Sequence, residues 1–322
     1  MIKRYTLFTT LTVISLFAYI TFPASSIRGI SIILLLFALT GLINATPIFH
    51  KERFCDEDEN PVLMDEKAAA VSIKKGNTKA VLLIHGFSST PWLFHKHIPL
   101  FVAAGYDVLA PRLPGHGVNK ETFIKSSFTQ YYRYVEKLLI ESRPQYESFH
   151  IIGVSMGGVL TLKLAEQHSI GPYAPNSIVT LATPVRLTDP RLSLVRTMSW
   201  VIPIFKLKTK DGLSRETDGG ENWLGYEELC LPPAYSTFMA MVHVKNKLQK
   251  ISLPHLLIHA RGDKKVPFEN IWKIGSSTSS KKQELWTPDL SAWDHSRHAL
   301  FLYDSIRDEL FTKIRTFIDL HA

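Results

Sequence analysis

From Lys79 onward, short runs of apolar, β-branched residues alternate with longer stretches in which apolar residues recur at helical spacing. This alternation predicts an α/β fold, a doubly wound and mostly parallel sheet with helices on both faces. The predicted strands are 80–85, 106–111, 149–154, 177–181, 255–259 and 283–287, and the predicted helices are 91–104, 128–142, 156–168, 268–276 and 301–320. Thr90 followed by Pro91 marks the start of the first of these helices.

The alternation breaks once, between Thr183 and Leu253. A loop of this length inside a compact domain is more often functional than idle. We therefore predict a cap over the functional site, formed by residues 184–252, with a helical pattern over 235–248. The alternative is that its aromatic residues only form a small core of their own. Trp200 and its apolar neighbours further suggest a cap that opens towards a membrane.

The first fifty residues hold two apolar runs, 5–22 and 30–43, separated by 23–28. Each is close to the lower length limit for crossing a bilayer, about 17 residues. We predict a transmembrane hairpin over 1–50, a linker over 51–67 and a globular domain over 68–322. Lys3 and Arg4 precede the hairpin and Lys51 and Arg53 follow it, so the positive-inside rule predicts that both ends and the globular domain are cytoplasmic. A signal peptide cleaved near residues 24–26 is the alternative, but it leaves the second run unexplained.

Composition adds a few limits to this scheme. The hydrophobic content of 45% is sufficient for a large core, and part of the net charge of +8 comes from the N-terminal basic residues. No basic stripe alternates with aromatic residues, which argues against nucleic-acid binding. Cys55 and Cys230 are too few for a disulfide framework and mildly favour a reducing compartment.

The most informative motif is Gly153-x-Ser155-x-Gly157, which follows a predicted strand and precedes a predicted helix. Glycines on both sides allow a sharp, crowded turn that exposes the serine hydroxyl at the carboxyl edge of the sheet. The N–H groups at the start of the helix favour a negative charge there. Ser155 is the predicted nucleophile.

A serine nucleophile needs a base, and the base needs an acid that fixes its tautomer. In this type of sheet the expected chain order is serine, acid, histidine. Asp263, in the turn after strand 255–259, is the predicted acid, and His298, after the last strand, is the predicted base. His295 is a rival base. Asp289 and Asp294 are rival acids, although both are better explained as turn-capping residues.

The tetrahedral intermediate also needs two hydrogen-bond donors for its oxyanion. The backbone N–H groups of Met156, directly after the nucleophile, and of Phe87, after the first strong strand, are the predicted donors. Their side chains are expected to form pocket walls. His85 and His116 are better explained as structural residues than as second bases.

Five segments together resemble the α/β-hydrolase fold, and within it the branch of small bacterial carboxylesterases and monoacylglycerol lipases. They are 84–91, 104–117, 153–158, 261–267 and 296–298, in the order that the family shows. The resemblance implies a triad of Ser155, His298 and Asp263, oxyanion donors at Phe87 and Met156, and neither a metal nor an organic cofactor. The N-terminal hairpin departs from the usual soluble enzyme, and the cap matches only loosely.

The leading functional hypothesis is a membrane-anchored serine hydrolase of lipophilic carboxylic esters, in the bacterial inner membrane. Monoacylglycerols or lysophospholipids would be natural substrates, since an anchored site meets amphiphiles at high local concentration. An acyltransferase that uses the same triad is a second hypothesis. A non-catalytic binding module with the hydrolase fold is a third, and the intact triad argues against it.

Overall fold

The structure is a computed structural model that describes residues 2–21, 25–45, 61–187, 195, 204–205, 218, 223–292 and 296–322. The chain divides into two units. The first comprises Met1–Arg53 and Pro190–Pro203, and the second comprises Phe54–Asp189 and Ile204–Ala322. The predicted linker residues 51–60 and the cap residue Trp200 lie outside the described residues.

Apart from Val195, the described part of the first unit consists of two helices, α1 (Ile2–Thr21) and α2 (Ser25–Ala45). They pack against each other and leave large apolar side chains exposed, among them Phe17, Ile20, Ile33 and Phe37. Over the part of the chain that is described, no helix meets both the length and the apolarity needed to cross a bilayer. The predicted transmembrane hairpin is therefore not supported.

The second unit is built on a seven-stranded sheet in the order β1-β3-β2-β4-β5-β8-β9. All neighbouring strands are parallel except β1, which pairs antiparallel with β3 at one edge. The strands of this sheet are β1 (Val71–Ile73), β2 (Lys79–Ile84), β3 (Tyr106–Ala110), β4 (Ser148–Val154), β5 (Ser177–Leu181), β8 (His255–Ile258) and β9 (Gln283–Trp286), and a separate pair is formed by β6 (Ile204–Phe205) and β7 (Leu229–Cys230). The predicted doubly wound, mostly parallel sheet is confirmed.

Helices cover both faces of this sheet, as crossover connections between parallel strands require. They are α3 (Ile98–Ala103), α4 (Lys120–Lys125), α5 (Phe128–Ser142), α6 (Met156–His168), α7 (Leu231–Lys245), α8 (Asn270–Gly275) and α9 (Arg307–Leu320). Within β2, Ala80, Leu82 and Ile84 join one core and Val81 and Leu83 join the other. The inner strands are thus buried on both sides, which is why they read as continuous apolar runs.

The register of the sheet brings several strand ends to the same level. Ile84 pairs with Gly153, Val154 with Leu181, and Ile258 with both Leu181 and Trp286. The turns that follow β2, β4, β8 and β9 therefore leave the sheet at one edge, where ligands bind in open α/β sheets.

Candidate active site

Ser155 occupies the turn between β4 and α6 with φ 54° and ψ −117°. A positive φ is strained for a residue with a side chain, and such strain is often found at functional positions. The turn is held by two backbone hydrogen bonds: the Ser155 N–H donates to the Leu181 carbonyl at 2.8 Å, and the Val159 N–H donates to the Ser155 carbonyl at 3.2 Å.

The flanking glycines are explained by close packing of α6 against the sheet. A Cβ atom at Gly153 would collide with the Gly157 carbonyl, and one at Gly157 would collide with the Ile84 carbonyl of β2. A Cβ at Gly158 would collide with the Thr183 side chain. The Gly-x-Ser-x-Gly spacing is therefore required by the geometry of this turn.

Asp263 lies in the turn after β8, and its carboxylate has four contacts with donors among the described residues. Its Oδ1 accepts the backbone N–H groups of Lys265 at 2.8 Å and Val266 at 2.9 Å. Its Oδ2 lies 2.8 Å from His298 Nδ1 and 3.1 Å from His259 Nε2. The sequence-predicted acid and base are thus in direct contact.

The pKa of Asp263 is held below its usual range. Burial alone would raise the pKa, but the charge of His298 and the hydrogen bonds from His259, His298 and the Val266 N–H outweigh that effect. The carboxylate stays ionised and fixes Nδ1 of His298 as the donor. Nε2 of His298 is then the atom available to accept a proton.

The segment that carries His298 is tied to the acid turn. The Lys264 N–H donates to the Ser296 carbonyl at 2.9 Å, and the Arg297 guanidinium donates to the Arg261 carbonyl at 3.2 Å. Arg297 itself has φ 53°, and its N–H donates to the Tyr303 hydroxyl at 3.0 Å. These bonds hold the acid and the base in one arrangement.

Ser155 and His298 line the same cavity, which has a volume of about 210 Å³. Its walls combine apolar side chains with three charged ones, and part of the wall comes from the segment predicted as the cap. The lining includes Phe87, Leu93, Val154, Trp223, Leu229 and Ala299, together with Glu227, Glu228 and Lys265. Most ligand pockets are apolar with a few polar groups, as here.

The two predicted oxyanion donors follow β2 and β4. Gly86 and Phe87 line the cavity, and a Cβ at Gly86 would lie 3.3 Å from Ser155 Cβ, so this turn passes directly beside the nucleophile. Met156 is the first residue of α6, where backbone N–H groups have no intrahelical acceptor. The Phe87 side chain is a cavity wall as expected, whereas the Met156 side chain is buried, its sulfur 3.4 Å from the Thr237 hydroxyl.

Residues 81–308 match the alpha/beta hydrolase family. The chain belongs to this family. The expectation drawn from the sequence motifs is confirmed.

Three similar proteins illustrate the relationship. A thermostable monoacylglycerol lipase of Bacillus sp. (strain H-257) is 29% identical over 205 residues, 64% of this chain and 78% of that protein. A carboxylesterase of Bacillus subtilis is 25% identical over 250 residues, 76% of this chain and 94% of that protein. A solved structure of a metagenome-derived lipolytic enzyme has a TM-score of 0.71 at 23% identity, with 81% of this chain and all of that chain covered.

His85 and His116 have structural roles in this hydrolase, as the sequence analysis favours. His85 Nδ1 donates to the Gly86 carbonyl at 2.9 Å, and Nε2 accepts the Leu113 N–H at 3.1 Å, so both ring nitrogens are occupied. Burial lowers the pKa of His85 to about 4. His116 is also buried, and its pKa is lowered well below the usual value. Neither is suited to act as a base at neutral pH.

The rival residues are partly accounted for. Asp289 Oδ1 accepts the Ser291 N–H at 2.9 Å, which is the turn-capping role expected for it. His295 and Asp294 lie outside the described residues. Within the described ranges, no three His, Cys, Asp or Glu side chains are grouped so as to hold a metal ion.

Two features of the site escape the sequence analysis. The first is His259, which contacts the predicted acid. Its position at a strand end, four residues before Asp263, is a sequence signal that could have indicated this contact. Tyr226 connects the cap segment to the loop around Gly115: its hydroxyl donates to the Gly115 carbonyl and accepts the Val118 N–H, both at 2.9 Å. No local sequence signal indicates this second connection.

Proposed function

We propose that the protein is a serine hydrolase that cleaves carboxylic esters through an acyl-serine intermediate. One observation carries the proposal: Ser155 and His298 face one cavity, and His298 Nδ1 is hydrogen-bonded to a buried carboxylate. This is the arrangement that activates a serine hydroxyl on several unrelated folds. The names of the two Bacillus relatives support the same reaction class.

In the proposed mechanism, Ser155 Oγ attacks the ester carbonyl carbon while His298 Nε2 accepts the hydroxyl proton. Asp263 holds the imidazole and stabilises its positive charge. The N–H groups of Met156 and Phe87 donate to the oxyanion. Collapse of the tetrahedral intermediate breaks the bond to the alcohol, which receives the proton from His298. A water molecule, deprotonated by His298, then hydrolyses the acyl-serine and releases the acid.

The cavity walls favour an ester with an apolar acyl chain and a polar alcohol. Phe87, Leu93 and Trp223 offer apolar surface, and Glu227 and Lys265 offer charged groups for hydroxyls. We propose monoacylglycerols or lysophospholipids, or simpler carboxylic esters, as the substrate class.

Hydrolysis of p-nitrophenyl esters from acetyl to palmitoyl tests this proposal. We expect steady turnover with an optimum at an intermediate or long chain, because each buried methylene contributes about 0.8 kcal/mol of binding. The assay is run in detergent, with the Ser155→Ala variant as the blank. Absence of turnover on every ester by folded protein would contradict the proposal. Formation of a glycerol ester when glycerol is added would instead indicate acyl transfer.

We further propose that α1 and α2 attach the protein to the bacterial inner membrane, with the catalytic domain in the cytoplasm. The proposal is supported by their exposed apolar side chains and by the basic residues at positions 3, 4, 51 and 53. We expect the full chain to sediment with membranes and to resist an alkaline carbonate wash, whereas a chain starting at residue 61 should not sediment. Equal distribution of both chains in the supernatant would refute the attachment.

A further inference from the structure

His259 makes the one side-chain contact with the catalytic-site carboxylate that the proposed triad does not use, within the described residues. It follows Ile258 at the end of β8, and its backbone N–H donates to the Trp286 carbonyl at 3.2 Å. Its side chain is 2% exposed and that of Asp263 is fully buried. The contact is therefore shielded from water, where a hydrogen bond has its largest electrostatic effect.

The hydrogen-bond partners of the His259 ring show that Nε2 carries a hydrogen. Nε2 of His259 lies 3.1 Å from Asp263 Oδ2 and 3.2 Å from the Val266 carbonyl oxygen. A carbonyl oxygen can only accept, so Nε2 carries a hydrogen, which it shares between the two oxygens. The Phe268 ring packs edge-on against the imidazole with centroids 5.7 Å apart, which fixes the ring plane.

Asp263 Oδ2 consequently accepts from two histidines, His259 on one side and His298 on the other. We propose that His259 is a positioning residue for the reaction, an inference that rests on the proposed function. It aims Oδ2 at His298, and it withdraws part of the carboxylate charge from the base. Both effects act on His298 through Asp263, because His259 itself does not line the cavity.

Removal of this donor should change the pH dependence of catalysis in a defined direction. A carboxylate with one hydrogen bond fewer holds a more concentrated charge, so it stabilises the imidazolium form of the base more strongly. The acid limb of the kcat/KM profile should then move to higher pH by about 0.5 to 1 unit. Poorer orientation of Asp263 should lower kcat about tenfold, with KM nearly unchanged.

The other charged groups near Asp263 and His298 are unchanged in this test. The acid turn contributes Arg261, Lys264 and Lys265, and the base segment contributes Arg297. The cap segment contributes Glu227 and Glu228, of which Glu228 is paired with Lys120 at 2.5 Å. None of these side chains is altered by a substitution at 259, so a shift of the acid limb reports the lost donor.

The decisive experiment compares His259→Phe, which keeps a ring against Phe268 without a donor, with His259→Gln, whose amide can still donate to Asp263. His259→Asn, too short to reach the carboxylate, is a second donor-free variant in case the Phe variant does not fold. In the Phe and Asn variants we expect the acid limb of the kcat/KM profile to move to higher pH and kcat to fall. In the Gln variant both quantities should stay close to their wild-type values. Active sites are counted by fluorophosphonate labelling.

His255→Phe is the matched control. His255 is equally buried, at the start of the strand that His259 follows, but its ring is hydrogen-bonded to Thr180 Oγ1 at 2.8 Å instead of to Asp263. This variant should lower thermal stability without moving the acid limb. Unchanged profiles in both donor-free variants, or an equal change in His259→Gln, would overturn the inference. A wild type without Ser155-dependent activity would instead refute the proposed function, so the two failures are distinguishable.

Discussion

Replacement of Ser155 by alanine is expected to lower kcat for ester hydrolysis by about 10⁴- to 10⁶-fold. The variant keeps the cavity, the oxyanion donors and the acid–base pair, but it has no atom that can form the acyl bond. Folding should be little affected, since the turn is held by backbone hydrogen bonds to Leu181 and Val159 rather than by the Ser155 side chain. Alanine also tolerates the positive φ no worse than serine.

The measurement combines kinetics with covalent labelling. Wild-type protein should incorporate one fluorophosphonate per chain, and the Ser155→Ala variant should incorporate none. Ser89→Ala is the matched control, because Ser89 lines the same cavity and, among the described residues, its buried hydroxyl has no hydrogen-bond partner. That variant should keep its activity within about threefold. Labelling of the Ser155→Ala variant, or residual activity above a tenth of that of the wild type, would refute the assignment of Ser155 as the nucleophile.

The inner strands could be predicted closely because burial on both faces makes them continuous apolar runs. Residues 177–181 match β5 at both ends, and the other predicted strands end within one residue of the observed ones. Three observed strands were not predicted. β1 has three residues at a half-exposed sheet edge, and β6 and β7 have two residues each, so none of them carries such a run. Helices α4 and α5 divide at Ser126 and Ser127, and the first of them, with six residues, was too short for a periodic signal.

The predicted helices were wrong where tertiary contacts or proline intervene. The predicted helix 91–104 is a 3₁₀ turn, Pro91–Phe94, followed by α3, whose second residue is Pro99. Proline lacks the N–H that a continuous helix would need there. Thr90 does not cap this turn, because its hydroxyl donates to the Leu224 carbonyl of the cap segment. The predicted helix 301–320 begins only at Arg307.

The late start of α9 coincides with a contact from the segment predicted as the cap. Asp218 accepts the backbone N–H groups of Asp304 and Ser305 at 2.6 and 2.8 Å, so these residues are held in a turn. In the active site, too, residues with a local sequence signal could be predicted and residues that act through tertiary contacts could not. Ser155, Asp263 and His298 could be predicted because each follows a strand in the expected order, whereas His259 and Tyr226 act through contacts across the fold that no local pattern encodes.

Acidification should unfold the protein between about pH 6.5 and pH 5, because several histidines are buried in their neutral form. Burial lowers the pKa of His85 and His97 to about 4 and that of His150 and His255 to about 3, and the pKa of His116 is lowered as well. In the unfolded chain, histidine has a pKa of about 6.5. Below that pH the unfolded state binds protons that the folded state refuses, so stability falls as the pH falls.

The size of this effect is comparable with the whole stability of a domain. Each such histidine costs about 1.4 kcal/mol per pH unit below pH 6.5. Five of them remove on the order of 5 kcal/mol between pH 7 and pH 5.5, against a typical total of about 5–15 kcal/mol. Asp263 does not add to this loss. Its pKa is depressed, so its contribution is complete above the unfolded value near pH 4 and is lost only at lower pH.

Urea unfolding at half-unit steps from pH 8 to pH 5 measures the slope of the free energy of unfolding against pH. The double variant His150→Gln and His255→Gln should have a slope about two fifths smaller below pH 6.5, since two of the five groups no longer titrate. His243→Gln, on the exposed face of α7, is the comparison variant. Desolvation and the charge of Lys163 lower the pKa of His243, so its replacement should reduce the slope, but by less than replacement of either fully buried histidine. A flat stability from pH 7 to pH 5, or an equal slope in the double variant, would show that these histidines accept protons without unfolding the chain.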